Sequence, residues 1–135
     1  MKEYLPNELI TGIDKIDEQH GAMLYLLNKL EKYFKEGEGE KAISDSLSFL
    51  ENYVKTHFKT EEEYMIKYNY PDYEVHKLEH EKFRKDFAMK RLKILRGVSK
   101  SEALLLLKSL KDWYENHVLK TDIVLASFLK NLEKH

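Results

Sequence analysis

The sequence predicts an all-α protein, an up-down-up-down four-helix bundle with a metal site in its core. Two observations support the bundle and a third the site. Apolar residues recur at steps of three and four through four successive segments, the period of a helix with one buried stripe. The two prolines, Pro6 and Pro71, and the five glycines read as connection points between those segments. Finally, histidines and carboxylates interrupt every apolar stripe, where a plain bundle would place only Leu, Ile, Val, Phe and Met.

The first element begins at "TGID", Thr11 to Asp14, which has the Ser/Thr-x-x-Asp/Glu form of a capping box. Its stripe is Ile13, Ile16, His20, Met23, Leu27, Leu30 and Phe34, and "GEGE", Gly37 to Glu40, ends it. The second stripe runs through Ile43, Leu47, Leu50, Val54, His57, Glu61 and Tyr64 or Met65. It stops near "YNYPD", where Asn69 and Pro71 provide a stop and a new start. The third starts close to Asp72, carries His76, His80, Phe83 and Phe87 in register, and closes at Gly97. A second capping box, "SKSE" at Ser99 to Glu102, opens the fourth, with Ala103, Leu106, Leu110, Trp113 and His117. Leu125, Phe128, Leu129 and Leu132 extend it toward the C-terminus. Four such helices with short connections pack as antiparallel neighbours. The expectation is one domain over residues 1–135, with an N-terminal arm at 1–10.

Composition narrows the chemistry. There is no cysteine, which removes disulfides, iron–sulfur clusters and thiolate zinc sites, so a metal here must be held by His, Asp and Glu. The 23 basic and 24 acidic residues are interspersed and leave a net charge of -1, a poor footprint for nucleic acid or an anionic membrane. The apolar run from Ala103 to Leu107 is far shorter than the roughly 18 residues of a membrane span, and the N-terminus has no signal-peptide apolar region. A soluble, cytoplasmic protein is expected.

The interrupting residues are His20 on the first helix, His57 and Glu61 on the second, His76 and His80 on the third, and His117 with Asp122 on the fourth. Positions four apart differ by about 40° around a helix, so His57/Glu61 and His76/His80 each aim two donors the same way. His117 and Asp122 are five apart, about 140° on a regular helix. Both point inward only where the helix is irregular, and an irregularity is expected between them. His135, on no stripe, is left out of the site.

Burying that many titratable groups without a shared partner costs several kcal/mol each. Five imidazoles and two carboxylates exceed the four to six donors of one first-row metal and suit two. With Glu61, Asp122 and a solvent-derived oxygen as bridges, a three-histidine metal has six donors and its two-histidine partner five, leaving one position open. This donor set fits iron better than zinc or magnesium, and dinuclear copper stays open on ligand type. Ferritin-like sites expect Glu-x-x-His, which the chain lacks.

The histidine of "IDEQH", followed by "HFKTEE", "HKLEH" and "HVLKTD", resembles the hemerythrin family, most closely its single-domain bacterial type, the bacteriohemerythrins. The likeness continues through "TGIDKIDEQH", "YPDYEVHKLEHEKF" and "LKDWYENH" and spans residues 9 to 125. The resemblance implies two irons, His76, His80 and His117 on one and His20 and His57 on the other, with Glu61, Asp122 and an oxo or hydroxo group bridging. It implies end-on O2 binding at the five-coordinate iron as both irons pass from ferrous to ferric.

Such a pocket must exclude water. Met23, Phe58, Trp113 and Val118, one step or one turn from ligands, are the candidate lining near the two-histidine iron, and each also reads as ordinary core. Tyr114 departs from the family, which usually has an aliphatic residue there, and so do Tyr4 and Leu5, where relatives commonly place a tryptophan. Three roles are open to the Tyr114 phenol: bonding the oxygen, narrowing the pocket, or facing solvent. The expected function is reversible O2 binding for storage, delivery or scavenging, without enzymatic turnover. The alternatives are a di-iron peroxidase, oxidase or NO-handling enzyme, and an O2 or iron sensor module.

Overall fold

The computed structural model describes residues 1–37 and 40–133, so part of the "GEGE" connection and His135 lie outside the described residues. Four helical rods form the molecule: α1 Asp14–Glu36, α2 Glu40–Lys67, α3 Tyr73–Arg96, and a last rod made of α4 Lys100–His117, a π-helical segment Val118–Asp122 and α5 Ile123–Glu133. Helix α1 packs on α2, α2 on α3, α3 on α4 and α4 back on α1, closing the ring of a four-helix bundle. No strand occurs among the described residues. None of the helices is long and apolar enough to cross a membrane.

The helix ends follow local chemistry. Gly37, at φ 70°, ends α1 in the left-handed region that a side chain disfavours. Asn69, at φ 53°, turns the chain between α2 and α3, with Pro71 just beyond. Ser99 caps α4 as expected, its Oγ accepting the N–H of Glu102 at 3.1 Å.

The start of α1 differs from the expected Thr11/Asp14 box. Ile13 is the capping residue, and its side chain makes no capping bond. The hydroxyl of Thr11 accepts the Ile13 N–H at 3.2 Å and donates to Asp17 at 2.7 Å, while Asp17 also accepts the N–H groups of Thr11 and Gly12. The carboxylate that closes this entry is one turn further on because the chain turns at Gly12, φ 90°, before the helix begins.

Gly21 is the second difference, since it lies inside α1 rather than in a connection. A Cβ there would strike the carbonyl of Met1 and come within 2.9 Å of the Lys2 Cα. The glycine is a groove for the N-terminal arm, whose two 3-10 turns, Lys2–Tyr4 and Asn7–Leu9, bury Leu5 and Leu9 against the bundle.

Two apolar clusters fill the interior. The larger includes Leu27, Leu30, Leu47, Leu50, Phe83, Phe87, Leu107 and Leu110; the smaller joins Ile16, Met65, Tyr70, Leu125 and Leu129. In all four rods the interrupting residues fall between members of the two clusters. Apolar packing, worth about 1.5–3 kcal/mol per large side chain, therefore brackets a buried polar layer on both sides.

Candidate metal centre

Each rod contributes to that layer. His20 stands midway along α1, His57 and Glu61 one turn apart on α2, His76 and His80 one turn apart on α3, His117 at the end of α4 and Asp122 at the end of the π segment. None is more than 5% exposed. The π segment is the expected irregularity: its wider turn accommodates one more residue per turn, so two groups five apart face the same interior point.

The arrangement divides into two overlapping groups. In one, donor atoms of Glu61, His76, His80, His117 and Asp122 lie within 4.8 Å of one another, and in the other those of His20, His57, Glu61 and Asp122 do. Asp122 belongs to both by geometry. Its Oδ2 is 2.9 Å from His20 Nε2, and its Oδ1 is 3.0 Å from His76 Nε2 and 2.9 Å from His117 Nε2. Glu61 Oε1 sits 3.3 Å from His57 Nε2 and 3.2 Å from His80 Nε2.

Although these separations are of hydrogen-bond length, the five Nε2 atoms and all four carboxylate oxygens are buried without an aligned hydrogen-bond partner. Buried polar atoms are almost always satisfied. Nine unsatisfied atoms converging on two points are therefore what a pair of cations would need, and the donor set, imidazole with carboxylate, suits first-row metals. The residues fit the group.

Behind the donors, further side chains hold the rings. His57 Nδ1 donates to Gln19 Oε1 at 2.7 Å, and the amide is oriented by its own N–H bond to Thr60 Oγ1 at 3.1 Å. His80 Nδ1 donates to Glu62 Oε2 at 3.0 Å. His117 Nδ1 lies 3.8 Å from Glu79, a carboxylate that also accepts the Thr121 hydroxyl of the π segment. With Nδ1 carrying the proton, Nε2 keeps its lone pair for the centre. Sequence reasoning missed Gln19, Glu62 and Glu79; the first two adjoin His20 and Glu61 in the chain, and Glu79 adjoins His80.

The electrostatics of the layer are those of a site prepared for positive charge. Burial, then the neighbouring histidines, pushes His80 down to about 2 and holds His57 well below the ordinary range. Burial and then the adjacent Asp122 push the Glu61 carboxyl well up. Asp122 is held well down, because His117 and its other histidine neighbours outweigh the effect of burial.

The expected pocket residues lie around this layer on both sides. Met23, Phe58, Tyr114 and Val118 are buried in the larger cluster, with Trp113 packed on it. Phe58 stacks on His80, centroids 3.8 Å apart, and also meets His57 at 5.9 Å, so it spans both groups, while Trp113 stacks on His117 at 4.6 Å on the five-residue side. Tyr114 meets His20 edge-on at 5.7 Å, on the two-histidine side. Its hydroxyl donates to the His20 main-chain oxygen at 2.6 Å and does not face solvent.

Comparison with known proteins gives the same picture. Residues 11–129 match the family model described as "Hemerythrin HHE cation binding domain". A bacteriohemerythrin of Stenotrophomonas maltophilia is 32% identical over 92% of this chain and 79% of its own. One of Clostridium acetobutylicum is 30% identical over 86% and 92%, and a myohemerythrin of Theromyzon tessulatum 30% over 81% and 78%. A crystal structure of wild-type hemerythrin superposes with a TM-score of 0.75 at 30% identity, covering 87% of this chain and 88% of that one. With the family model spanning most of the chain and a full set of seven donors in two overlapping groups, the chain belongs to the hemerythrin family.

Proposed function

We propose that His76, His80 and His117 hold one iron and His20 and His57 the other, with Glu61 and Asp122 shared between them. The observation that carries this reading is the pair of donor groups that have only those two carboxylates in common. The chain is a non-haem di-iron protein that binds O2, and the family to which it belongs is one of oxygen binders rather than enzymes. Held there, an iron pair would supply the two electrons that reversible O2 binding requires.

The residues of the chain do the rest. Gln19 and Glu62 keep the protons of His57 and His80 on Nδ1, so that Nε2 remains free. Met23, Phe58, Trp113 and Val118 line the layer with apolar surface and exclude water. Tyr114, raised well above the ordinary phenol range by burial and then by Asp122, stays a neutral donor and closes the wall beside His20. Its role is to narrow the two-histidine side. Storage, delivery or scavenging of O2 in the cytoplasm is the physiological setting that the near-neutral charge and apolar-walled site support, with O2 as partner and neither nucleic acid nor membrane.

The test is to reduce the iron-loaded protein anaerobically, admit O2, withdraw it, and count iron in the same sample. A coloured oxygenated form that bleaches reversibly at two irons per chain is expected. Steady consumption of reductant with irreversible conversion to a ferric form would instead make the protein an oxidase or peroxidase.

A further inference from the structure

The groups behind the histidines differ between the two halves of the centre. In the five-donor half, His80 gives its Nδ1 proton to the Glu62 carboxylate at 3.0 Å, and His117 Nδ1 faces the Glu79 carboxylate at 3.8 Å. In the four-donor half, His57 is backed by the neutral amide of Gln19 at 2.7 Å. The Nδ1 atoms of His20 here and of His76 and His117 in the other half are buried without an aligned hydrogen bond. The contrast between the halves is therefore the carboxylate of Glu62 against the amide of Gln19, with Glu79 as a second nearby carboxylate. A carboxylate behind an imidazole makes a charge-assisted bond, roughly twice as strong as that to a neutral acceptor. It also makes the far nitrogen more basic and the ring better fixed, and loss of such a partner typically costs about 10–100-fold in metal affinity. Glu79 is itself anchored, accepting the Thr121 hydroxyl at 3.1 Å, which ties it to the π segment that carries Asp122.

We propose that the centre is unequal by construction. Glu62 and Glu79 are positioning residues that make the His76/His80/His117 half the tight, first-filled metal position, and Gln19 leaves the His20/His57 half the weaker one, filled second. The proposal rests on the assignment of the seven donors to two metals. It predicts a half-loaded species in which the three-histidine position alone is occupied, and it assigns the later, more labile ion to the side that Tyr114 walls.

The experiment titrates the metal-free full chain with Co(II), followed by calorimetry and by the visible bands that report coordination. Two separated steps are expected in the wild type. His57→Ala should keep the tight step and lose the weak one, and His80→Ala should lose the tight one. Glu62→Gln should weaken the first step about 10–100-fold and Glu79→Gln by less, because its contact is longer. Gln19→Glu, which adds charge without removing a packing group, should tighten the second step and bring the two together. A single step of two equal ions, or a Glu62→Gln effect confined to the second step, overturns the inequality while leaving the two-metal centre standing. Uptake that neither His57→Ala nor His80→Ala alters overturns the centre and the proposal together.

Discussion

The phenol of Tyr114 donates a 2.6 Å hydrogen bond to the main-chain oxygen of His20, joining α4 to α1 beside a histidine of the centre. The bond is buried, and the helix-bound oxygen retains its place in α1 without it. Tyr114→Phe should therefore lose only about 1 kcal/mol of stability, readable in denaturant melts. Tyr114→Leu removes ring volume as well, opens a cavity on the two-histidine side and should cost about 2–4 kcal/mol. In the iron-loaded protein the leucine variant should change the autoxidation rate of the oxygenated form. An unchanged rate would exclude a role for Tyr114 in guarding the site.

Acid and base both destabilise the metal-free chain, through different groups. Burial and then neighbouring histidines hold His57 well down and His80 at about 2. Unfolded histidine titrates at about 6.5, so below that pH the unfolded chain takes up two protons that the folded chain refuses, each worth about 1.4 kcal/mol per pH unit. Glu61, pushed up by burial and then Asp122, contributes fully only below about 4.5 and loses its contribution as pH rises. For His117, burial lowers the value but Asp122 and Glu79 outweigh it and raise it to about 9. Its contribution is full below about 6.5 and lost as pH rises through 9.

Between about pH 4.5 and 6.5 two histidines oppose one carboxyl, a net loss of stability on acidification. Above about 6.5 the Glu61 and His117 contributions both decline. The Tm of the metal-free chain should peak near about pH 6.5 and fall on either side; a flat profile would refute the burial of these groups. The iron-loaded chain should release its metal by about pH 4–5, as protons compete for the imidazoles. Metal content that survives such acid would remove the ligand assignment.

Gly21→Ala tests the docking of the arm. Helix propensity alone favours alanine by about 0.5–1 kcal/mol. The added Cβ meets the backbone of Met1 and Lys2, however, and displaces a segment that buries Leu5 and Leu9. The variant should lose about 2 kcal/mol or more, with faster amide exchange at Leu5 and Leu9. Gained stability with unchanged exchange would show that the arm is not held at this groove.

Asp17→Ala should be costly for a residue so far from the interior of the centre. Its carboxylate accepts three bonds from Thr11 and Gly12 at a buried helix entry. Removing it leaves those donors unpaired, at about 2–4 kcal/mol. Thermal melts at neutral pH measure the loss, and Thr11→Ala should give a smaller one, since the two N–H donors keep their acceptor.

The bundle and the gathering of five histidines and two carboxylates on inward faces were legible in the sequence because both obey the helical period. A histidine four residues from a glutamate or another histidine shares its face whatever the rest of the molecule does. Even the π segment could be anticipated, since two inward groups five apart are incompatible with a regular turn. What the period does not encode is contact between rods. The reach of one Asp122 oxygen to His20 and of the other to His76 and His117, the carboxylates behind His80 and His117 against the amide behind His57, the stacking of Phe58 on His80 and of Trp113 on His117, and the glycine groove under the arm all depend on which side chains meet across helices. Sequence by itself therefore determined the elements, the faces and which histidines and carboxylates lie on the inward faces, which are local properties of one chain direction. Tertiary structure alone decided how those side chains are grouped and supported, because those distances exist only once α1, α2, α3 and the last rod are packed together.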